Sequence, residues 1–178
     1  MAATDDQHPS PEFSRPVSVE KLTSGGSVYR IEANPAEREA LARRFGIVGV
    51  DELTAELTLR SSGAKGAVRL EGELVARVRQ SCVVSLAEVA ARIDEHFHRA
   101  YAPEAVDELD VIVDLDSDDP PDPLIGGSID IGEATAEALA LSLDPYPRAP
   151  GAVFDPSIAG IPEPPSPFAA LAALKRPR

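Results

Sequence analysis

The chain has 178 residues, of which 43% are hydrophobic and 4% aromatic, with no Trp, so it suits one domain with an aliphatic core. A single Cys excludes an internal disulfide and a multi-cysteine zinc site, and no run reaches the roughly 18 apolar residues of a membrane helix. The opening Met1-Ala-Ala-Thr-Asp-Asp has neither the basic nor the apolar region of a secretion signal, so a soluble, cytoplasmic protein without membrane association is expected.

Charge is sorted by position. The chain carries 30 acidic and 17 basic residues for a formal charge of −13. Between Arg99 and Arg148 there are thirteen carboxylates and no Lys or Arg, which leaves 17 acids against 17 bases elsewhere. A field of that sign repels phosphate backbones and attracts cationic surfaces.

In chain order, residues 1–12 read as a disordered tail. Pro16 to Leu22 and Ser27 to Ile31 read as short strands around a Gly25-Gly26 turn. A fully punctuated helix follows: Asn34 as cap, Pro35 in the first helical position, and Glu37 completing a capping box. Arg43 and Arg44 stand in its last turn, Gly46 supplies a left-handed exit, and Ala40, Leu41 and Phe45 form the expected buried stripe.

The middle of the chain alternates with a period of two. Leu53, Ala55, Leu57 and Leu59 interleave with Glu52, Thr54, Glu56 and Thr58. Val68, Leu70, Gly72, Leu74, Ala76 and Val78 interleave with Arg69, Glu71, Glu73, Arg77 and Arg79, with Gly72 read as a bulge or bend. Val89, Ala91, Ile93 and Phe97 interleave with Arg92, Asp94, His96 and His98, and Leu109, Val111, Val113 and Leu115 read as a last short strand. Tight links between successive strands predict an α+β fold: an antiparallel β-meander or partly closed barrel with two main helices and a flexible C-terminal tail helix.

An acidic loop, 104–128, precedes the second helix, predicted over 131–143 with a capping-box pattern in Asp130 and Glu133 and an inward side of Ile131, Ala134, Ala138 and Leu141. These elements make one domain over 13–147. A Pro-rich linker and a short helix fill 148–178. In that helix Ser166 can cap, and Phe168, Leu171 and Leu174 recur at helical spacing, either to enter a partner's groove or to pack back on the domain.

Candidate chemistry is sparse. Cys82 is the lone thiol, read as a small residue at a sheet turn, although His96 and His98 on the next strand could approach it as bases. Asp94, His96 and His98 share one strand face as a metal edge would, or simply as a solvated face. Asp114-Leu-Asp116-Ser-Asp118 opens like a calcium loop, but Asp119 and Ile125 stand where Gly and Glu are required. No nucleotide-binding or nucleophile-elbow motif is found, and no cofactor or small-molecule substrate is expected. Arg69, Arg77, Arg79 and Arg92 could face RNA phosphates or pair with Glu71, Glu73 and Asp94.

With these segments in view, the chain resembles the YceD family, the large ribosomal RNA subunit accumulation proteins of bacteria and plastids. The likeness is carried by Glu12-Phe-Ser-Arg-Pro-Val17 and by Val68 through Gly72-Glu-Leu to Ser81-Cys82-Val-Val-Ser85-Leu86. It continues in Ile129-Asp-Ile-Gly-Glu133, Leu143-Asp-Pro-Tyr-Pro147 and Ser166-Pro-Phe-Ala-Ala-Leu-Ala-Ala-Leu-Lys175. Many members carry Cys-x-x-Cys at the central turn and further cysteines near the C-terminus. Here Ser85 takes the second position and no cysteine follows, which matches the cysteine-poor branch, so a metal site is not carried over.

The resemblance implies a non-enzymatic role in accumulation or maturation of large-subunit (23S-type) ribosomal RNA. The charge adds a partner: Asp107, Glu108, Asp110, Asp114, Asp116, Asp118, Asp119 and Asp122 are expected to engage a basic ribosomal protein or a large-subunit precursor. The rival readings are an acidic adaptor with no ribosomal role and a metal-dependent enzyme using Asp94, His96 and His98.

Overall fold

A computed structural model describes residues 11–22, 25–61, 66–103 and 121–154. Its elements are β1 (Pro16–Ser18), followed by a 3-10 turn at Val19–Lys21, then β2 (Ser27–Glu32), α1 (Pro35–Phe45), β3 (Gly49–Ser61), β4 (Val68–Ser81), β5 (Glu88–Ala102), β6 (Asp122–Pro123), β7 (Ser128–Asp130) and α2 (Ile131–Ser142). The expected strand at 109–115 and the helix at 167–175 lie outside the described residues.

One sheet runs in the order β2-β3-β4-β5-β6, antiparallel except for the β5–β6 pair, and β1 with β7 forms a separate antiparallel pair. The fold is α+β and the sheet stays open. β2 and β6 occupy its two edges, and the meander β3-β4-β5 forms its middle. The period-two reading places the faces correctly. Leu53, Leu57, Leu59, Leu70, Leu74 and Val78 are buried, while Glu56, Arg60, Arg69, Glu71 and Glu73 on the alternate face are exposed. Both helices cover the apolar face, since Leu41 and Ala42 of α1 and Ile131, Ala134 and Leu139 of α2 join the sheet residues in one core.

Gly72 departs from expectation. The ladder passes through it without a bulge, pairing Leu57, Gly72 and Phe97 across three strands. The glycine is there because the Phe97 ring lies on its backbone: a Cβ would meet Phe97 Cε1 and Cζ at 2.6 Å. The irregularity falls between Val50 and Glu52 instead.

α1 is built as its sequence dictates. Asn34 Oδ1 accepts from the Glu37 amide (3.0 Å), Glu37 Oε2 accepts from the Asn34 amide (2.8 Å), and Gly46 exits at φ +65°. Its buried face is Leu41 and Ala42, with Ala40 and Phe45 only half-buried, because α1 sits chiefly over β3 alone.

α2 differs from the expectation in two ways. Asp130 caps it, accepting from the Gly132 and Glu133 amides at 3.0 and 3.1 Å, but Glu133 does not close a box. Its carboxylate is held by both terminal nitrogens of Arg44 instead, at 2.9 and 2.6 Å. Leu141, expected inside, is 84% exposed. Burial is nearly all-round in the first half of α2, between the sheet and the segment 13–17, and lapses beyond Leu139.

That N-terminal segment is a clasp. Phe13 is fully buried with the Arg15 guanidinium 4.7 Å over its ring. Ser14 Oγ and the Arg15 amide donate to Asp130 (2.5 and 2.7 Å), and the Arg15 guanidinium donates to both Glu37 carboxylate oxygens (2.8 and 3.0 Å). Arg44 also donates to Glu12 at 3.0 Å. Three sequence-distant pieces (11–17, α1 and the start of α2) are thereby tied at one point.

Candidate functional site

Three groups of residues were candidates on chemical grounds, and the fold distributes them to different places. The acidic group is the largest. Of its members, Asp107, Glu108, Asp110, Asp114, Asp116, Asp118 and Asp119 lie outside the described residues, and Asp122 lies within them. The two ends of that segment are nevertheless well placed. β5 ends at Ala102 and β6 begins at Asp122, and these strands pair side by side, Tyr101 with Asp122 and Ala102 with Pro123. The Leu124 amide donates to the Ala102 carbonyl at 2.7 Å. The described residues on either side of 104–120, a stretch with eight carboxylates, therefore stand together at one corner of the sheet. Arg99 anchors that corner, its Nη1 lying 2.5 Å from Glu137 and 3.6 Å from Asp122.

The second group occupies the uncovered face of the sheet. Arg69, Arg77 and Arg92 lie there, as do Asp94, His96 and His98, because alternate residues of β4 and β5 share a face. Arg79 lies at the far end of the same strand. Three of the four arginines are engaged by carboxylates: Arg77 with Glu52 at 3.2 Å, Arg79 with Asp51 at 3.0 Å and Glu88 at 3.1 Å, and Arg92 with Asp94 at 2.9 Å. Among the described residues Arg69 has no carboxylate within ion-pair distance. The partners are not those expected, apart from Asp94. Glu71 and Glu73 stand opposite His98 and His96 in the ladder, and the His96 Nε2 to Glu73 Oε1 distance is 3.6 Å. Among the described residues no three His, Cys, Asp or Glu side chains are grouped as metal ligands would be.

Cys82 forms the third place, at the β4–β5 turn. Cys82 is buried, and the turn is closed by its amide donating to the Ala87 carbonyl (2.8 Å), with Leu86 held at φ +58°. Its sulfur accepts from the Val84 and Ser85 amides, each at 3.4 Å. The Ala149 amide, with further hydrogen bonds from the Ser85 hydroxyl and amide, lowers the thiol pKa to about 6 against the opposing effect of burial. The residue after it bonds onward, Val83 amide to Pro147 carbonyl at 2.9 Å, so this turn pins the chain leaving α2. His96 is no neighbour: it pairs with Glu73, nine residues along β4 from Cys82, or about 30 Å. Among the described residues no histidine stands beside the thiol, whose surroundings are those of a fastened turn.

Sequence reasoning missed the clasp, in which Arg15, Glu37 and Asp130 act together. The signals available were the Asn34 and Asp130 capping patterns and the Glu12-Phe-Ser-Arg-Pro-Val17 segment, and none of them names a shared partner. No helix among the described residues is long and apolar enough to cross a membrane.

Comparison with curated proteins and with solved structures returns no significant match. The family described as large ribosomal RNA subunit accumulation protein YceD matches residues 70–175. That span takes in β4 from Leu70, β5, the whole acidic segment, α2 and the C-terminal tail to Lys175, which is more than half of the chain. The chain belongs to the YceD family.

Proposed function

We propose that this protein is a non-enzymatic ribosome-biogenesis factor that supports accumulation or maturation of large-subunit ribosomal RNA by holding a basic ribosomal protein on its acidic segment. The observation that carries the reading is the joining of β5 to β6, which returns both ends of the carboxylate-rich stretch 104–120 to one corner of the sheet. Tethering both ends limits how far eight carboxylates can spread, and a concentrated negative field attracts cationic chains that are awaiting RNA. An RNA phosphate has stronger competing claims on the same partner, so release onto RNA follows from the same electrostatics.

Direct RNA contact is the lesser part of this reading. Phosphates reaching Arg77, Arg79 or Arg92 would have to displace carboxylates already bound there, and of the four candidate arginines Arg69 alone has no carboxylate partner among the described residues. A shallow slope of affinity against salt is therefore expected for RNA alone.

The test is a binding series of the full chain with purified large-subunit ribosomal proteins, against a variant with Asp107, Asp110, Asp114, Asp116, Asp118, Asp119 and Asp122 all changed to Asn. The reading requires binding by the parent that weakens with salt and falls at least tenfold in the variant, together with co-sedimentation of the parent with large-subunit precursors. Salt-insensitive or unchanged binding refutes the acidic mechanism. Free sedimentation in cells would favour an adaptor with no ribosomal role.

A further inference from the structure

The inner face of β5 is incompletely covered. Its ladder partners on β4, such as Leu70, Leu74 and Ala76, are fully buried, but Ala91, Ile93, Phe97 and Tyr101 are only partly so. Beside them lies a groove of about 270 Å³ lined by Glu95, Phe97, His98, Arg99, Ala138, Leu141 and Ser142. Leu141 is 84% exposed on its rim. Glu95 stands in the same inner row as Phe97, opposite fully buried Leu74, an acid on a face that is otherwise mostly apolar. The groove is smaller than ordinary small-molecule pockets, and it offers apolar contact at Phe97, Ala138 and Leu141 beside charge at Glu95 and Arg99.

We propose that this groove between α2 and β5 is the docking site of the chain's own C-terminal segment 167–175. Three observations choose that occupant. The described chain ends at Phe154, close to the Cys82 turn, since Ala149 bonds to the Cys82 sulfur and the Ala152 amide returns to the Ala149 carbonyl at 3.0 Å. From that turn to Glu95 is about 25 Å along β5, and the twelve residues 155–166 can span about 40 Å. The distance is within reach, and attachment to the same chain raises the local concentration.

Pattern is the second. Phe168, Leu171 and Leu174 recur in the sequence at helical spacing, after a Ser166-Pro167 pair of the kind that opens helices, and offer three apolar side chains to Phe97, Ala138 and Leu141. Charge is the third. Lys175, Arg176 and Arg178 follow that pattern, whereas the stretch from 100 to 147 has no Lys or Arg. A segment entering from the Cys82 end and running antiparallel to α2 carries those three cations toward Glu137 and the acidic corner. There they offset its field and compete with any basic partner.

Because the chain has no Trp, Phe168→Trp places a single indole in the full-length protein as a reporter. Docking predicts blue-shifted emission and quenching by acrylamide several-fold slower than for a free indole, both independent of protein concentration. Adding Leu141→Asp should restore the emission and quenching of an exposed indole while the domain still unfolds in a single cooperative urea transition, since the substitution acts at the rim and not in the core. An indole exposed in both proteins overturns the proposal. So does shielding that grows with concentration, which would mean a second copy, or shielding seen only after cell extract is added, which would mean a separate partner. None of these outcomes depends on the ribosomal reading.

Discussion

α1 and α2 have 11 and 12 residues and share one core, yet they are specified by different means. α1 carries its own start, stop and charge pattern: Asn34 and Glu37 close the capping box, Arg43 and Arg44 meet the negative end, and Gly46 turns the chain out. α2 borrows its start. Asp130 serves four donors, two from the helix and two from Ser14 and Arg15, and Gly132 lets the 13–15 backbone pass against the first turn. Local punctuation makes a helix that could sit at many places. A cap shared with another segment makes one that can sit at only one.

That contrast can be broken most forcefully at Gly132. A Cβ there would run into the Phe13 carbonyl, which is backbone and cannot swing aside. Gly132→Ala should cost about 3 kcal/mol in urea denaturation despite the better helix propensity of Ala. A neutral result would mean the clasp is loose. Next comes Asp130→Ala, which strands the donors of both the helix and the clasp and should cost about 2 kcal/mol.

The corresponding changes in α1 should be milder. Asn34→Ala removes one cap, and Gly46→Ala places a side chain at φ +65° with no atom within 4 Å of its Cβ, so each should cost about 1 kcal/mol. If either matched Gly132→Ala, the distinction between the helices would fail.

The smallest effect is a pH dependence that sharpens the link between them. The Arg15 guanidinium holds the Glu37 carboxyl below its ordinary range, chiefly through their hydrogen bonds. A folded pKa below the unfolded one means the pair stabilises fully above the unfolded value, near 4.3, and loses that contribution as pH falls through the folded value. The stability gap between the parent and Glu37→Gln should therefore narrow as pH drops below about 4. A gap that stays constant to pH 3 would show that the pair contributes nothing specific to folding.

The same division explains what could be read in advance. The alternation of β3, β4 and β5 is a one-dimensional signal, and the buried and exposed faces follow from it residue by residue. Gly72 was legible as special but for the wrong reason, because the Phe97 ring that needs its missing side chain stands 25 residues away. Leu141 fits an inward helical stripe, and only the position of α2 along β5 leaves it at a rim. Of the candidate site, the charge asymmetry was plain in the chain, whereas the pairing of Arg77, Arg79 and Arg92 with Glu52, Asp51, Glu88 and Asp94 required strand register and rotamers.

The α+β class, the faces of the strands, the limits of α1 and the confinement of net negative charge to one stretch could all be read along the chain, since each depends on residues close together in it. The open sheet, the fastening of both helices by 12–15 and the single corner at which the residues flanking the acidic stretch meet emerge only from the folded chain. Each of these is set by contacts between residues far apart in sequence, whose partners no local pattern names.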